Sequence, residues 1–221
     1  MPLEKKFINI HSHRKPQSAD EWVLRNAFHK LSTDRVKGLN YFVSVGLHPW
    51  YVDSTFEQKI EHVTTLLTLP NVLAMGEIGL DRACTVDFDL QRKAFEIQIE
   101  LAETHNLPVI IHAVRTYSDL IRYLKKSSVT FILHQYRGNE EQTRQLLQLD
   151  NVFFSFGIDL INHDKVKRTF LQIPLNKVFL ETDVADLSIQ SVYKEAAFLL
   201  GKNTTELQEH IYKTFKSISH F

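Results

Sequence analysis

Short apolar runs alternate with longer stretches of helical spacing along almost the whole chain. Strand-like runs occupy residues 7–10, 41–47, 72–76, 108–111, 130–133, 152–156 and 177–180, with a fainter one at 22–29. They are continuously apolar rather than alternating, the pattern of parallel strands covered on both faces. Between them, apolar residues recur at helical spacing over 56–69, 88–106, 117–126, 140–149 and 165–171. Two further helices, 189–200 and 204–219, complete the pattern, the second introduced by the cap candidates Asn203 and Thr204. Pro70 ends the first long helix, and Leu90, Ala94, Ile97, Leu101 and Ala102 form the expected inner face of the longest one. No long helical stretch follows either of the first two strands.

Eight strands in this order predict an α/β fold, a distorted TIM-type (β/α)8 barrel. The expectation is one domain over residues 1–221 with abbreviated early helices. An open doubly wound sheet is the alternative, weakened because no Gly-rich G-x-G-x-x-G turn follows any strand. The chain is 43% hydrophobic and 24% charged, enough for a sizeable core. Lys+Arg and Asp+Glu both number 26, so no global field favours nucleic acid and any such binding must use a local patch. The single cysteine, Cys84, can form no internal disulfide. Residues 1–6 contain no apolar signal core and no run reaches membrane-spanning length. A cytoplasmic protein with no membrane partner is therefore expected.

The chemistry lies at the ends of the strand runs. His11 and His13 follow the first, one residue apart, so in extended chain they point the same way. Glu77 follows the fourth run, His112 the fifth, His134 the sixth and Asp183 the eighth. In a barrel these ends open onto one face, where active sites sit. A lone strand-end histidine is more often structural than a ligand. Four imidazoles and two carboxylates converging there are enough for one or two divalent ions, and six such placements together argue for a metal centre.

These residues carry a resemblance. His11-Ser12-His13, Gly46-Leu47-His48-Pro49, Gly76-Glu77-Ile78-Gly79-Leu80-Asp81, Pro108-Val109-Ile110-Ile111-His112 and Leu180-Glu181-Thr182-Asp183 resemble the signature of TatD-type metal-dependent deoxyribonucleases. The stretches Gln91-Arg92-Lys93-Ala94-Phe95 and His134-Gln135-Tyr136-Arg137-Gly138 are similar to the same family. The resemblance implies an amidohydrolase-superfamily barrel holding two divalent metal ions (zinc, manganese, magnesium or nickel) and cleaving DNA phosphodiesters in single strands or at ends. It makes His11, His13, Glu77 and Asp183 ligands of one ion. Glu77, bridging, joins His112 and His134 at the other, and Asp183 orients or deprotonates the attacking water.

This chain departs from the family pattern in three places. Asn9 stands where the family has Asp, and the Arg of its His-x-Arg comes one residue late, as Arg115. Residues 184–188 lead almost directly into a helix, where the family has Pro, an aromatic and an arginine-bearing loop. The missing loop keeps open a second class of substrate, a small phosphoester, lactone or amide. His48, Arg115 and Arg137 are candidate substrate contacts. Asp81 is expected to fix its own loop or support a ligand. Trp50 and Tyr51 are read as packing residues, with base stacking the alternative. His29, His62, His105, His163, His210 and His220 lie off the strand-end pattern and are read as surface or packing residues.

Overall fold

A computed structural model describes residues 6–218. Ser219 and His220, assigned from the sequence to a last helix and to a surface or packing role, lie outside the described residues, as do residues 1–5. Eight strands form one sheet in the order of the sequence, β1 (Phe7–Ser12), β2 (Glu21–Asn26), β3 (Phe42–Val45), β4 (Val72–Asp81), β5 (Val109–Val114), β6 (Phe131–Leu133), β7 (Val152–Phe156) and β8 (Val178–Leu180). Every neighbouring pair is parallel. The helices are α1 (Thr33–Lys37), α2 (Phe56–Leu67), α3 (Phe88–His105), α4 (Tyr117–Leu124), α5 (Glu140–Leu146), α6 (Ile158–Asn162), α7 (Asp164–Gln172), α8 (Ile189–Leu199) and α9 (Thr204–Ile218). No helix follows β1, and only the five-residue α1 follows β2, so the early helices are short as expected. Among the described residues no helix is long and apolar enough to cross a membrane.

The barrel is nearly closed. β8 is only three residues long, and its seam with β1 is made just beyond it, by a bridge between Ser12 and Asp183. The His13 amide donates to the Asp183 carbonyl at 3.0 Å, and the Asp183 amide donates to the His11 carbonyl at 3.1 Å. Lower down the seam a side chain takes the place of a strand. The hydroxyl of Tyr193, fully buried on α8, accepts from the Ile8 amide at 3.1 Å and donates to the Ile8 carbonyl at 3.1 Å. A buried backbone group left unpaired is costly, so this one hydroxyl lets a short β8 close the sheet.

The same device appears on α3. The periodicity predicted an inner face through Leu90, Ala94, Ile97, Leu101 and Ala102, but the buried stripe runs through Gln91, Ala94, Phe95, Gln98, Ile99 and Ala102. The helix is rotated because its two glutamines do strand work. Gln91 bonds both the amide (2.8 Å) and the carbonyl (3.0 Å) of Asp81, and Gln98 does so for Leu47 (2.7 and 3.2 Å). Two other elements differ from expectation. β4 runs on to Asp81 instead of stopping at Gly76, with its pairing to β5 shifted between Met75 and Ile78. All ten of its residues are buried, so a run that ends in polar residues still belongs to the barrel wall. After β7 there are two helices rather than one, separated at His163, whose backbone is extended.

If the Tyr193 hydroxyl closes the seam, Tyr193→Phe leaves the amide and carbonyl of Ile8 unpaired while the ring still packs. The expected loss of stability is about 2–4 kcal/mol, at roughly 1–3 kcal/mol per unpaired buried group. Urea unfolding measures it, and a loss below about 0.5 kcal/mol is the result that contradicts the assignment.

Candidate metal centre

Glu77 is the hub of the barrel mouth. It lies inside β4 rather than at its end, and only 4% of it is exposed. Its two carboxylate oxygens face different partners. Oε2 stands 3.5 Å from Nε2 of His11 and 3.7 Å from Nε2 of His13. Oε1 stands 2.8 Å from Nε2 of His134, 2.9 Å from Nδ1 of His112 and 3.3 Å from Nε2 of His48. Asp183 completes the first side, its Oδ1 lying 3.5 Å from His11 and 3.3 Å from His13. All six residues expected from the sequence as ligands are therefore brought together. Donor atoms of His11, His13 and Asp183 lie within 4.8 Å of one another, as do those of His11, Glu77 and His134, and those of His48, Glu77 and His112.

The strands position these groups through local geometry. His11 is in β1 and His13 just past it, on the same side. β4 and β5 approach so closely at Gly79 that a Cβ there would lie 1.9 Å from the His112 carbonyl oxygen, and the glycine's φ of +153° is outside the usual range of other residues. His112 is thereby held beside Glu77. Asp183 has a φ of 49°, and the bridge from Ser12 fixes its backbone next to His13.

A second layer of polar groups orients the first. Asn26 of β2 donates to Glu77 Oε2 at 3.1 Å. Asp81 Oδ2 lies 3.0 Å from His112 Nε2 and accepts from the Trp50 indole at 2.6 Å, while its Oδ1 accepts from the amides of Ala83 (2.7 Å) and Cys84 (3.2 Å). Glu181 is fully buried, with Oε1 3.3 Å from His134 Nδ1 and accepting from the Gln135 amide at 3.2 Å. Glu181 belongs to the Leu180-Glu181-Thr182-Asp183 motif, whose resemblance assigns a role to Asp183 alone. The signal was there, since a carboxylate directly follows the apolar run of β8 and sits two residues before Asp183. Asn26 carried no signal, because the faint second strand gave no register.

Electrostatics keep the carboxylates ionised. Burial alone would raise Glu77, but His134, His11, His112 and His13 hold it well below the usual carboxylate range. Burial likewise opposes ionisation of Asp183, and the imidazoles of His11 and His13 beside its carboxylate bring it far below its ordinary value. Burial pushes His11 down, yet Asp183 and Glu77 more than offset this and raise it from 6.5 to about 9. His13 is raised by the same two carboxylates, and His134 by Glu77 and Glu181, in each case against the opposing effect of burial. His48 is lowered, because burial outweighs its contact with Glu77. Protons on these imidazoles thus occupy the place of cations between anions.

The donor set fits divalent cations. Both ring nitrogens of His11 are buried without a hydrogen-bond partner, and its Nε2 stands equidistant, at 3.5 Å, from two carboxylate oxygens. Imidazole with carboxylate suits zinc, manganese, nickel or magnesium.

The expected substrate contacts are placed unequally. His48 belongs to the cluster itself, through Glu77. Arg115 and Arg137 are exposed and line a cavity of about 720 Å³ beside the cluster, shared with Tyr117, Gln135, Ile158 and Val184. Arg137 is paired with the buried carboxylate of Asp159. Trp50, read as a packing residue, is 57% exposed over the cluster, its indole nitrogen donating to Asp81 and its ring meeting His48 and His112 edge-on. Tyr51 does pack, against Phe28, His29 and His48.

Asn9 explains its own departure from the family pattern. Its side chain donates to Glu21 (2.8 Å) and to the Thr182 hydroxyl (2.9 Å) and accepts from the Thr182 amide (3.1 Å). Glu21 is buried, so an Asp at position 9 would set two carboxylates together.

Comparison with known proteins identifies the fold and the family. The structure resembles the crystal structure of YjjV, a TatD homologue from Escherichia coli K12, with a TM-score of 0.84 at 23% identity over 99% of both chains. In sequence the chain is 28% identical over 189 residues to the Bacillus subtilis protein named uncharacterized metal-dependent hydrolase YabD, covering 80% of this chain and 74% of that one. It is also 28% identical over 146 residues to the human protein named 3'-5' RNA nuclease TATDN2, covering 62% of this chain but 19% of the human one. The profile of the family described as TatD related DNase matches residues 22–218, and the chain belongs to that family.

Proposed function

We propose that the protein is a divalent-metal-dependent hydrolase of nucleic-acid phosphodiesters, acting on DNA single strands or ends. The observation that carries this reading is the division of Glu77, one oxygen toward His11 and His13 and the other toward His112 and His134. A carboxylate so divided can bridge two cations, and a paired site can clamp the attacking and leaving oxygens of a phosphoryl displacement. His11, His13, Glu77 and Asp183 would hold one ion, and Glu77, His112 and His134 the other. Divalent ions bound there supply positive charge against phosphoryl oxygens and lower the pKa of water. Asp183, kept ionised beside His11 and His13, accepts the proton of the attacking water. Asp81 and Glu181 fix the ring orientations of His112 and His134. Trp50, exposed over the cluster, offers a face on which a base can stack. The human relative's name refers to RNA, so RNA is the competing polymer.

One observation favours a second reading. The 720 Å³ cavity beside the cluster is of a size that encloses a small ligand, and the segment after Asp183 is too short to build a longer groove there. A metal-screened panel separates the readings, using single-stranded DNA, RNA, a generic phosphodiester and a set of small esters, lactones and amides. Cleavage of DNA with manganese or zinc is expected. Turnover of a small ester, lactone or amide with no cleavage of any phosphodiester is the outcome that replaces the first reading with the second.

Elemental analysis of protein reconstituted with manganese or zinc is expected to find up to two ions per chain. A chain that takes up none under any condition removes the ligand assignment. Asp183→Asn nearly keeps the size of the side chain but removes the basic carboxylate. Turnover is expected to fall by about 10²–10⁴-fold, the usual contribution of general acid–base catalysis, and steady-state kinetics on the cleaved substrate measure it.

The raised imidazoles also set a pH dependence. In metal-free protein, charged His11 stabilises the fold fully below its ordinary pKa of 6.5, and this contribution is lost as the pH rises through about 9. Glu77 and Asp183, held low, contribute above the ordinary carboxylate range and lose that only in acid. The melting temperature of metal-free protein should therefore fall between about pH 6.5 and 9. Manganese needs neutral imidazoles, so the stabilisation it adds should grow across the same window. Melting curves with and without manganese at each pH test both trends, and a metal increment that shrinks with rising pH contradicts them.

A further inference from the structure

The mouth of the barrel carries cations on two sides. Arg115 and Arg137 follow β5 and β6, and Arg14 and Lys15 follow β1, across the barrel. The β1 side is a cleft of about 610 Å³ lined by His13, Arg14, Lys15, Pro16, Gln17 and Arg25, with no carboxylate among its lining residues. His13 lines both this cleft and the 330 Å³ cavity at the metal cluster, so the two adjoin. The latter shares Trp50, His112, His134 and Asp183 with the 720 Å³ cavity that holds Arg115 and Arg137. The three spaces form one track across the centre.

The cleft is a built feature. The half-buried Arg25 of β2 donates through Nε to the His13 carbonyl at 3.2 Å, is bonded to the Tyr41 hydroxyl and sits over the Tyr41 ring. Among the described residues it makes no ion pair with a carboxylate, so its charge is fixed in position and not neutralised by an acidic neighbour. Arg14 pairs with Asp186, a side chain 88% exposed in the short segment after Asp183, and this ties the β1–β2 loop to that segment. Lys15 is exposed at the rim. Three basic side chains beside a metal centre, of which among the described residues Arg14 alone has an acidic partner, suit a ligand with several regularly spaced negative charges, and the path continues to Arg115 and to Arg137, itself paired with Asp159. A small phosphoester has use for one such group.

We propose that the Arg14–Lys15–Arg25 cleft binds the phosphodiester backbone of a nucleic-acid strand next to the bond being cleaved. It supplies cations at the mouth that the short segment after Asp183 lacks. The inference rests on the phosphodiesterase reading given above and deepens it.

The test is fluorescence anisotropy of a labelled eight-nucleotide phosphorothioate thymidylate, which resists cleavage, with manganese-loaded protein across a salt series. Each phosphate contact contributes a slope of about 0.7 on single strands. The double variant Arg14→Ala/Lys15→Ala is expected to lower the slope by about 1.4 and the affinity at low salt about tenfold. Lys15→Ala alone, a change at an exposed side chain that leaves the fold intact, is expected to lower the slope by about 0.7. Lys126→Ala, at the end of α4, is the control and should leave the slope unchanged. Binding by the unaltered protein with the same slope in all variants overturns the cleft and leaves the phosphodiesterase reading standing. Absence of oligonucleotide binding, together with no phosphodiester cleavage in the substrate panel, overturns both.

Discussion

A buried carboxylate surrounded by imidazoles is the constraint on which this barrel mouth depends. Glu77 sits on β4 with five histidine nitrogens within 3.7 Å of its oxygens. A charge placed there without partners would cost several kcal/mol. The partners come from β1, β5, β6 and the loop after β3, so their strands must all reach the same height at once. That demand accounts for local features that otherwise look like irregularities. β4 shifts register with β5 between Met75 and Ile78, and Gly79 lets the two backbones meet where His112 is carried. Removing the charge of any one member leaves the others with a poorer environment, as in any buried network.

The rest of the fold solves a related problem, that of strand ends left without neighbours. Short strands around a site leave backbone amides and carbonyls buried but outside the ladder. Here helix side chains supply the missing pairing, with Tyr193 bonding both groups of Ile8, Gln91 both groups of Asp81 and Gln98 both groups of Leu47. Two of these three residues adjoin the centre. Leu47 precedes His48, and Asp81 contacts His112. The helices therefore place the centre as well as cover the sheet. This is why polar residues occupy the inner face of α3, where a purely apolar stripe would pack equally well.

The strands were legible because parallel strands buried on both faces must be apolar throughout, and the six candidate ligands were legible because each interrupts or follows such a run. What was not legible depended on partners distant in sequence. Gln91 and Gln98 read as outer-face residues because hydrophobic periodicity takes a buried glutamine for an exposed one. Trp50 reads as a packing residue by its type, yet contacts to Asp81, His48 and His112, distant in sequence or just before it, hold it over the cluster while more than half of it stays exposed. The break between α6 and α7 lies at the extended His163 and has no proline or glycine to announce it. Glu77 reads as a strand end because the run 72–76 gives way to a carboxylate there, whereas the strand continues through it with a shift of register between Met75 and Ile78.

The departures from the family pattern also have local physical reasons, and they are linked through the β1–β8 seam. Where the family has a carboxylate at position 9, this chain has Asn9, and a carboxylate stands instead on the next strand as Glu21, 2.8 Å from the Asn9 amide. The buried carboxylate of this chain thus stands one strand outward, and Asn9 bonds Thr182, which holds β8 against β1. Asn9 can do this because its amide both donates and accepts, which a carboxylate cannot. Asp183, next to Thr182, therefore keeps its backbone position even though the segment beyond it is short. The seam also reaches the rim, since the His13 amide bonds Asp183 and the next residue, Arg14, pairs with Asp186 in the segment beyond it.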